Sequence, residues 1–292
     1  MESQVGFFIC TSGTMMIFLV LCVYKFSRKT DMFAKVISLF NQAGGVGKTT
    51  LTQNLGYQLK EKNYKVLLID LDPQASLTCF MGIEPYDLET TIYDSLITSG
   101  SSIQLPLINC YGVDLVPSNL RLAASEQKLT FELQRELRLK DVIEPYLEDY
   151  DYILIDCPPS LTMLPLISLV ASHYVLVPIQ TQFKATVGTD LLLDTIAKVK
   201  AKLNPTLNIL AFIPTQYSKR NITEQRVLNL LHNDLSKIAP ILDPLPRSTA
   251  IAEATEYGKP FALSPKSNNT LLSLFKSYVK QIESLTQQLT HV

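Results

Sequence analysis

The sequence predicts an α/β fold, a doubly wound and mostly parallel sheet flanked by helices. From residue 35 onward, short apolar runs alternate with longer amphipathic stretches, as in repeated strand–helix–strand units. The apolar runs are rich in Val, Ile and Leu and lack polar alternation, which is typical of strands buried on both faces. A glycine-rich loop joins the first run to the first amphipathic stretch. Together these observations favour a sheet whose ligand site lies at the ends of its strands.

The pattern predicts strands and helices in alternation along the chain. The strands cover residues 35–40, 65–70, 112–117, 152–156, 174–179 and 208–214. The helices cover residues 48–62, 89–98, 119–148 with a break, 161–172, 185–203, 222–238 and 270–289. We expect the last helix to pack on its own domain, because a membrane-surface helix usually carries more basic residues. No repeat or low-complexity linker divides residues 32–292, so they are predicted to form one domain.

Length and composition limit the classes of protein. The 292 residues are 47% apolar and 18% charged, which supplies enough apolar material for a core. A net charge of −1 argues against a protein that coats nucleic acid through bulk charge, so any DNA contact must come from a local patch. The five cysteines form no C-x-x-C pair and the three histidines do not cluster. We therefore expect a reduced, cytoplasmic protein without a structural metal.

The first 31 residues are a hydrophobic segment with two interpretations. Residues 5–24 carry no charge and are long enough to cross a bilayer. Basic residues follow them, and this positive flank would leave the remaining chain in the cytoplasm. Alternatively, the segment is a spurious extension and translation starts at Met32, directly before the first strand. The protein is membrane-anchored only if residues 1–31 are translated.

The loop NQAGGVGKTT, residues 41–50, predicts a phosphate-binding site. Its glycines allow the backbone to turn N–H groups toward phosphate oxygens at the positive end of the following helix. The lysine would neutralise the β- and γ-phosphates, and the first threonine would place its hydroxyl on Mg²⁺. The motif departs from the strict G-x-x-x-x-G-K-[ST] pattern because Gln42 occupies the first glycine position. The candidate nucleotide-binding residues here are Gly44, Gly45, Val46, Gly47, Lys48, Thr49 and Thr50.

Aspartates follow two further predicted strands, at the same predicted edge of the sheet. Asp70 and Asp72 end the run LLIDLDPQ, and Asp156 ends YDYILID. The carboxyl ends of parallel strands meet at one edge, where open α/β sheets bind their ligands. Asp156 is the candidate that holds Mg²⁺ through water, together with the hydroxyl of Thr49. Each aspartate motif alone is also compatible with a helix cap or a turn.

Several segments together resemble the ParA/MinD family of deviant Walker A ATPases. They are GGVGKTT, VLLIDLDPQASLT, TIYDSL, VDLVPSNLRLAASEQKL, YDYILIDCPPSL, VLVPIQ and STAIAEATEYGKPF, and the likeness covers nearly all of residues 35–280. The resemblance implies an ATP hydrolase with ATP and Mg²⁺ as cofactors. It implies that Asp72 helps to position the hydrolytic water and that Asp70 lies near Mg²⁺. It also maps the base-binding segment onto Pro214, Thr215 and Gln216, with the loop LPRSTAI closing over the base.

One position departs from that family. The family carries a lysine at the head of the loop that reaches the partner's phosphates across a nucleotide-sandwich dimer, and here this position is Ala43. The chain is then either a degenerate enzyme that hydrolyses ATP poorly or an enzyme in which another cation replaces the lysine. Lys184 is our catalytic candidate for that cation, because it lies just beyond the strand YVLVPI on the nucleotide side. A solvated loop lysine is the alternative.

The missing head lysine makes the sequence resemble the McdA branch of the family, which positions carboxysomes along the nucleoid. This resemblance implies an ATP-dependent homodimer, non-specific DNA binding, a nucleoid location and a small adaptor protein of the McdB or ParB type that stimulates hydrolysis. The alternatives are a plasmid or chromosome partition ParA and a MinD-like membrane-associated ATPase for division-site selection. Candidate DNA contacts are Lys198, Lys200, Lys202, Lys219, Arg220, Arg247, Lys259 and Lys266.

Overall fold

A seven-stranded sheet runs through the computed structural model, which describes residues 33–98 and 104–290 but not the side chains of residues 183–187 and 290. Its strands are β1 (Lys35–Leu39), β2 (Val66–Asp70), β3 (Ile108–Cys110), β4 (Val113–Val116), β5 (Tyr152–Asp156), β6 (Tyr174–Gln180) and β7 (Asn208–Thr215). Their order is β3–β4–β2–β5–β1–β6–β7, and every neighbouring pair is parallel except β3 and β4. The predicted mostly parallel α/β fold is therefore confirmed.

Helices flank the sheet, and parts of the helical prediction need correction. The helices are α1 (Lys48–Glu61), α2 (Ser76–Phe80), α3 (Ile92–Ile97), α4 (Ala123–Leu129), α5 (Arg138–Ile143), α6 (Met163–Ala171), α7 (Phe183–Lys202), α8 (Ile222–Leu235), α9 (Thr249–Glu256) and α10 (Asn269–Thr290). The predicted helix over residues 119–148 is divided into α4, α5 and short 3₁₀ turns. The sequence pattern does not predict β3, α2 or α9, because segments of three to eight residues are too short to show a period.

Apolar side chains on both faces of the sheet form the core. Val36 and Ile153, on neighbouring strands, belong to one buried cluster, whereas Ile37 and Leu154 belong to a second. Successive strand residues point to opposite faces, so these clusters lie on opposite sides of the sheet. All residues of β2 and β5 are buried. The continuous apolar runs of the sequence therefore reflect strands that are covered on both faces, as predicted.

The C-terminal helix α10 packs on its own domain, as predicted. Phe275, Tyr278 and Ile282 are fully buried in the second cluster, and the Tyr278 hydroxyl donates a hydrogen bond to the Asp243 carbonyl at 2.7 Å. None of the described helices is long and apolar enough to cross a membrane. The hydrophobic segment 1–31, with its two interpretations, lies outside the described residues.

A partly buried histidine links the stability of the sheet to pH. His173 precedes β6, and its Nδ1 accepts a hydrogen bond from the Val36 N–H at 3.1 Å. Burial lowers the pKa of His173 below its usual value of 6.5. Between the lowered pKa of the folded state and the usual value, the unfolded chain binds more protons than the folded chain. The free energy of unfolding should therefore fall as pH decreases below about 6.5.

Urea unfolding of the unsubstituted protein and of His173→Gln, between about pH 5 and pH 7, measures this effect. Because glutamine does not titrate, we expect the variant to lose less stability on acidification. An equal loss in the two proteins would contradict the linkage.

Candidate functional site

A cavity of about 610 Å³ opens at the edge of the sheet where the parallel strands end. The glycine loop before α1 lines one side of the cavity, and residues of the segment from Leu245 to Thr255 line another. Asp72 also lines the cavity. Asp70 and Asp156 are direct neighbours at the ends of β2 and β5. The fold thus brings together motifs that lie more than a hundred residues apart along the chain, at the edge where open α/β sheets bind ligands.

Side chains of β6, of β7 and of the residue after β7 donate hydrogen bonds to the glycine loop. Gly45 and Gly47 have φ angles of 69° and 91°, in the left-handed region that favours glycine. The Gly45 carbonyl accepts hydrogen bonds from the Gln180 and Gln216 side chains at 2.9 and 2.6 Å. The Thr215 hydroxyl donates to the Val46 carbonyl at 2.8 Å. The loop carbonyls are therefore engaged by the protein, and the first N–H groups of α1 have no partners within the helix and suit an anion.

The Lys48 side chain lies under this loop. Its Nζ donates hydrogen bonds to the Asn41 and Ala43 carbonyls at 2.8 and 2.9 Å, and the residue is only 6% exposed. Burial lowers the pKa of Lys48, and the nearby Asp156 carboxylate opposes that shift. A phosphate at the loop would supply the negative charge that this buried ammonium lacks in its two carbonyl partners.

Asp70 is fully buried and its oxygens already accept hydrogen bonds. Oδ2 accepts from the Thr78 N–H and hydroxyl at 2.8 and 2.7 Å, and Oδ1 accepts from the Asp72 N–H at 3.1 Å. Burial raises the pKa of Asp70 to about 7 in spite of these bonds. Asp70 therefore fixes the backbone between β2 and α2, and through it the position of Asp72.

Asp156 offers the better ligand for a divalent cation. Its Oδ1 lies 3.4 Å from the Thr52 hydroxyl, whereas its Oδ2 is buried and has no hydrogen-bond partner among the described residues. Burial raises the pKa of Asp156 well above its usual range, and the Asp70 carboxylate adds to this. A buried carboxylate oxygen without a partner is costly unless a cation or water satisfies it.

The residues at this edge fit Mg²⁺ rather than a tightly caged metal. The described part of the chain contains no group of three or more His, Cys, Asp or Glu side chains arranged to hold a metal ion. Mg²⁺ is usually held by one or two protein oxygens together with waters and substrate phosphates. Thr49 lines the cavity and Asp156 lies beside the loop, so these residues could supply the protein oxygens.

Asp72 lines the same cavity as the glycine loop. Its Oδ1 accepts the Gln74 N–H at 2.9 Å, and its carbonyl accepts the Ser118 hydroxyl at 2.8 Å. Burial raises the pKa of Asp72, and the Lys48 ammonium lowers it in part. The carboxylate is thus fixed by one oxygen, and the second is suited to bind a water molecule in the cavity.

The predicted base-binding residues take different positions. Gln216 lines the cavity in a left-handed conformation with φ of 56°, which is rare for a residue other than glycine. Thr215 also lines it, but its hydroxyl is committed to the loop. The Pro214 carbonyl accepts the Leu245 N–H at 2.8 Å, and Pro214 is not among the lining residues.

The segment LPRSTAI, expected as a loop, is in part the start of α9. The Ser248 hydroxyl accepts the Ile251 N–H at 3.3 Å and caps this helix, which corrects the expectation of an irregular loop. This segment and the residue after it contribute four apolar residues to the cavity lining. These lining residues are Leu245, Pro246, Ile251 and Ala252.

Lys184 lies in the first turn of α7, but its side chain is outside the described part of the structure. Gln42 connects the glycine loop to the same end of that helix, because its Nε2 donates to the Gly188 carbonyl at 3.0 Å. Ala43 is exposed at the head of the loop. The second turn of α7 is therefore hydrogen-bonded to Gln42, the residue before Ala43 at the loop head.

Several of the candidate DNA contacts have partners within the chain. Lys198 pairs with Asp194 at 2.6 Å, and Lys266 pairs with Glu253 at 2.5 Å. The Lys200 ammonium donates to the Asn208 side chain at 2.7 Å. The three lysines are exposed, and such surface pairs contribute little to stability.

Comparison with known proteins gives one family match and several similar proteins. Residues 34–209 match the family model described as an AAA domain. Chromosome partitioning protein ParA from Caulobacter vibrioides is 36% identical over 78% of this chain and 86% of its own length. Cobyrinic acid a,c-diamide synthase from Mycobacterium smegmatis, solved with bound ADP and magnesium, is 35% identical with a TM-score of 0.69, covering 77% of this chain and 91% of that chain.

McdA from Cyanothece is also similar in structure, with a TM-score of 0.74 over 86% of this chain and 99% of that chain. At 22% identity this likeness shows the shared fold, and it does not establish the McdA branch. The family match, the ParA relative and the glycine-loop geometry agree with one another. The chain belongs to the ParA/MinD family of P-loop ATPases.

Proposed function

We propose that this chain is a Mg²⁺-dependent ATP hydrolase that works as a nucleotide switch. The observation that supports it best is a single cavity lined by the glycine loop, the buried Lys48 and the Asp72 carboxylate. Lys48 exchanges its loop carbonyls for phosphate oxygens, and Asp72 orients the attacking water with its second oxygen. Thr49 and Asp156, with Asp70 beside them, would hold Mg²⁺, which would supply positive charge toward the phosphates when bound.

The proposed active form is a sandwich homodimer closed by ATP. Ala43 cannot reach a partner's phosphates, so we assign the missing positive charge to Lys184 at the start of α7. We expect Lys184→Ala to slow single-turnover ATP hydrolysis by at least about tenfold. Lys198→Ala is the matched control, because Lys198 lies on the same helix and pairs with Asp194. Unchanged hydrolysis and dimerisation in Lys184→Ala would remove this residue from the mechanism.

The proposed cycle uses DNA as a surface. The ATP dimer binds the nucleoid in the cytoplasm without sequence preference, and a small adaptor of the McdB or ParB type on the cargo stimulates hydrolysis and release. Carboxysomes are the proposed cargo, supported by the alanine at the loop head. Greater sequence identity to ParA than to McdA favours plasmid or chromosome partition as the second candidate. A MinD-like membrane role has less support, because α10 buries its apolar face in the core.

DNA binding that depends on nucleotide tests this proposal. Fluorescence anisotropy with a labelled duplex of arbitrary sequence should show binding with Mg-ATP and little with Mg-ADP. Because the contacts are to phosphates, affinity should fall by at least about tenfold between about 50 and 200 mM salt. Equal binding with the two nucleotides, or binding that salt does not weaken, would contradict the proposal.

A further inference from the structure

Arg247 lies in the wall of the cavity, although its sequence context suggested a DNA contact. Among the described lining residues, Lys48 and Arg247 are the basic ones. Tyr217 fixes the Arg247 backbone, because the Arg247 N–H donates to the Tyr217 carbonyl at 3.3 Å. Tyr217 directly follows Gln216, whose side chain holds the glycine loop. Arg247 is thus connected to the phosphate-binding loop through the backbone of Tyr217 and the side chain of Gln216.

A buried carboxylate holds the Arg247 guanidinium. Glu224 Oε1 lies 3.6 Å from Arg247 Nη2, and the Glu224 side chain is 8% exposed whereas that of Arg247 is 61% exposed. Glu224 is itself held by the Ser218 N–H at 2.6 Å and the Asn221 side-chain amide at 3.0 Å. The guanidinium therefore lies beside a well-positioned carboxylate, while most of the Arg247 side chain is exposed.

This pairing decides which part of a nucleotide suits Arg247. Glu224 offsets the positive charge, which weakens the attraction for a phosphate, but the planar faces of the guanidinium are still suited to stacking. The neighbouring lining residues Leu245, Pro246 and Ile251 are apolar, as suits the faces of an aromatic base rather than a phosphate.

We propose that Arg247 stacks on the nucleobase and that Glu224 is the positioning residue that orients its guanidinium. This inference rests on the proposed nucleotide binding. It assigns Arg247 to affinity for the base, and it gives Glu224 a role in pre-organising the site.

Equilibrium binding of Mg-ADP and of inorganic tripolyphosphate to the full chain separates the two parts of the ligand. We expect Arg247→Ala to weaken ADP binding by about tenfold while tripolyphosphate affinity stays within about twofold. Arg247→Met keeps the volume of the side chain and should lose as much, even if the alanine variant folds poorly. Arg247→Lys keeps the charge but not the plane, so it should recover little. Glu224→Gln should give a smaller loss for ADP alone.

Arg226→Ala is the matched control, because Arg226 is an exposed arginine that is neither a lining residue nor a candidate DNA contact. An equal loss for ADP and tripolyphosphate would show a phosphate contact and overturn stacking. Unchanged ADP affinity together with weakened DNA binding would return Arg247 to the DNA surface. If the unsubstituted protein binds neither ligand, the proposed function itself fails, which is a different result from a variant that binds normally.

Discussion

Lys48→Ala is expected to weaken ATP binding by at least about 100-fold, because it removes the buried ammonium beneath the phosphate loop. The lysine donates to two loop carbonyls, so the substitution also removes the bonds that hold the head of the loop near Asn41 and Ala43. Stability should change much less than affinity, since burial already lowers the pKa of this lysine and its loss relieves a desolvation cost.

Titration with a fluorescent ATP analogue, alongside thermal unfolding, measures the two effects separately. Lys65→Ala is the control, because Lys65 is exposed and lies just before β2, at the end of that strand opposite Asp70. Binding that persists in Lys48→Ala within a few-fold of the unsubstituted protein would show that the loop is not the phosphate site.

Asp72→Asn is expected to slow ATP hydrolysis by about 10² to 10⁴-fold and to leave ATP affinity nearly unchanged. The amide oxygen can still accept the Gln74 N–H, so the local turn is retained. What is lost is the negative oxygen that orients and polarises the attacking water. The separation of kcat from affinity distinguishes this role from a structural one.

Asp87→Asn is the control for Asp72→Asn, because Asp87 is an exposed aspartate and is not among the cavity-lining residues. Single-turnover hydrolysis and nucleotide titration of both variants make the comparison. A loss of ATP affinity as large as the loss of rate would place Asp72 in ground-state binding rather than in water activation.

The sequence alone predicts the strands that are continuous apolar runs, and it predicts the part of the site that forms a short local motif. The strands Val66–Asp70 and Tyr152–Asp156 are buried, mostly apolar runs, and their parallel pairing places Asp70 beside Asp156 at one edge. The glycine loop is recognisable because glycines at positive φ, a lysine and a helix start are all local features.

Contacts between residues far apart in the chain could not be predicted from the sequence. The bonds of Asp70 come from Thr78, and the orphaned oxygen of Asp156 becomes evident only once its neighbours are placed. Arg247 is a further example, because its place in the cavity wall and its partner Glu224 are evident only from the packing.

We propose that ATP closes two copies of this chain into a dimer although the loop head is alanine. Sedimentation velocity of the full chain with Mg-ATP and with Mg-ADP measures this directly, and Asp72→Asn prevents turnover during the run. We predict a dimer with Mg-ATP and a monomer with Mg-ADP. The same mass with both nucleotides would show that ATP does not drive dimerisation of this chain.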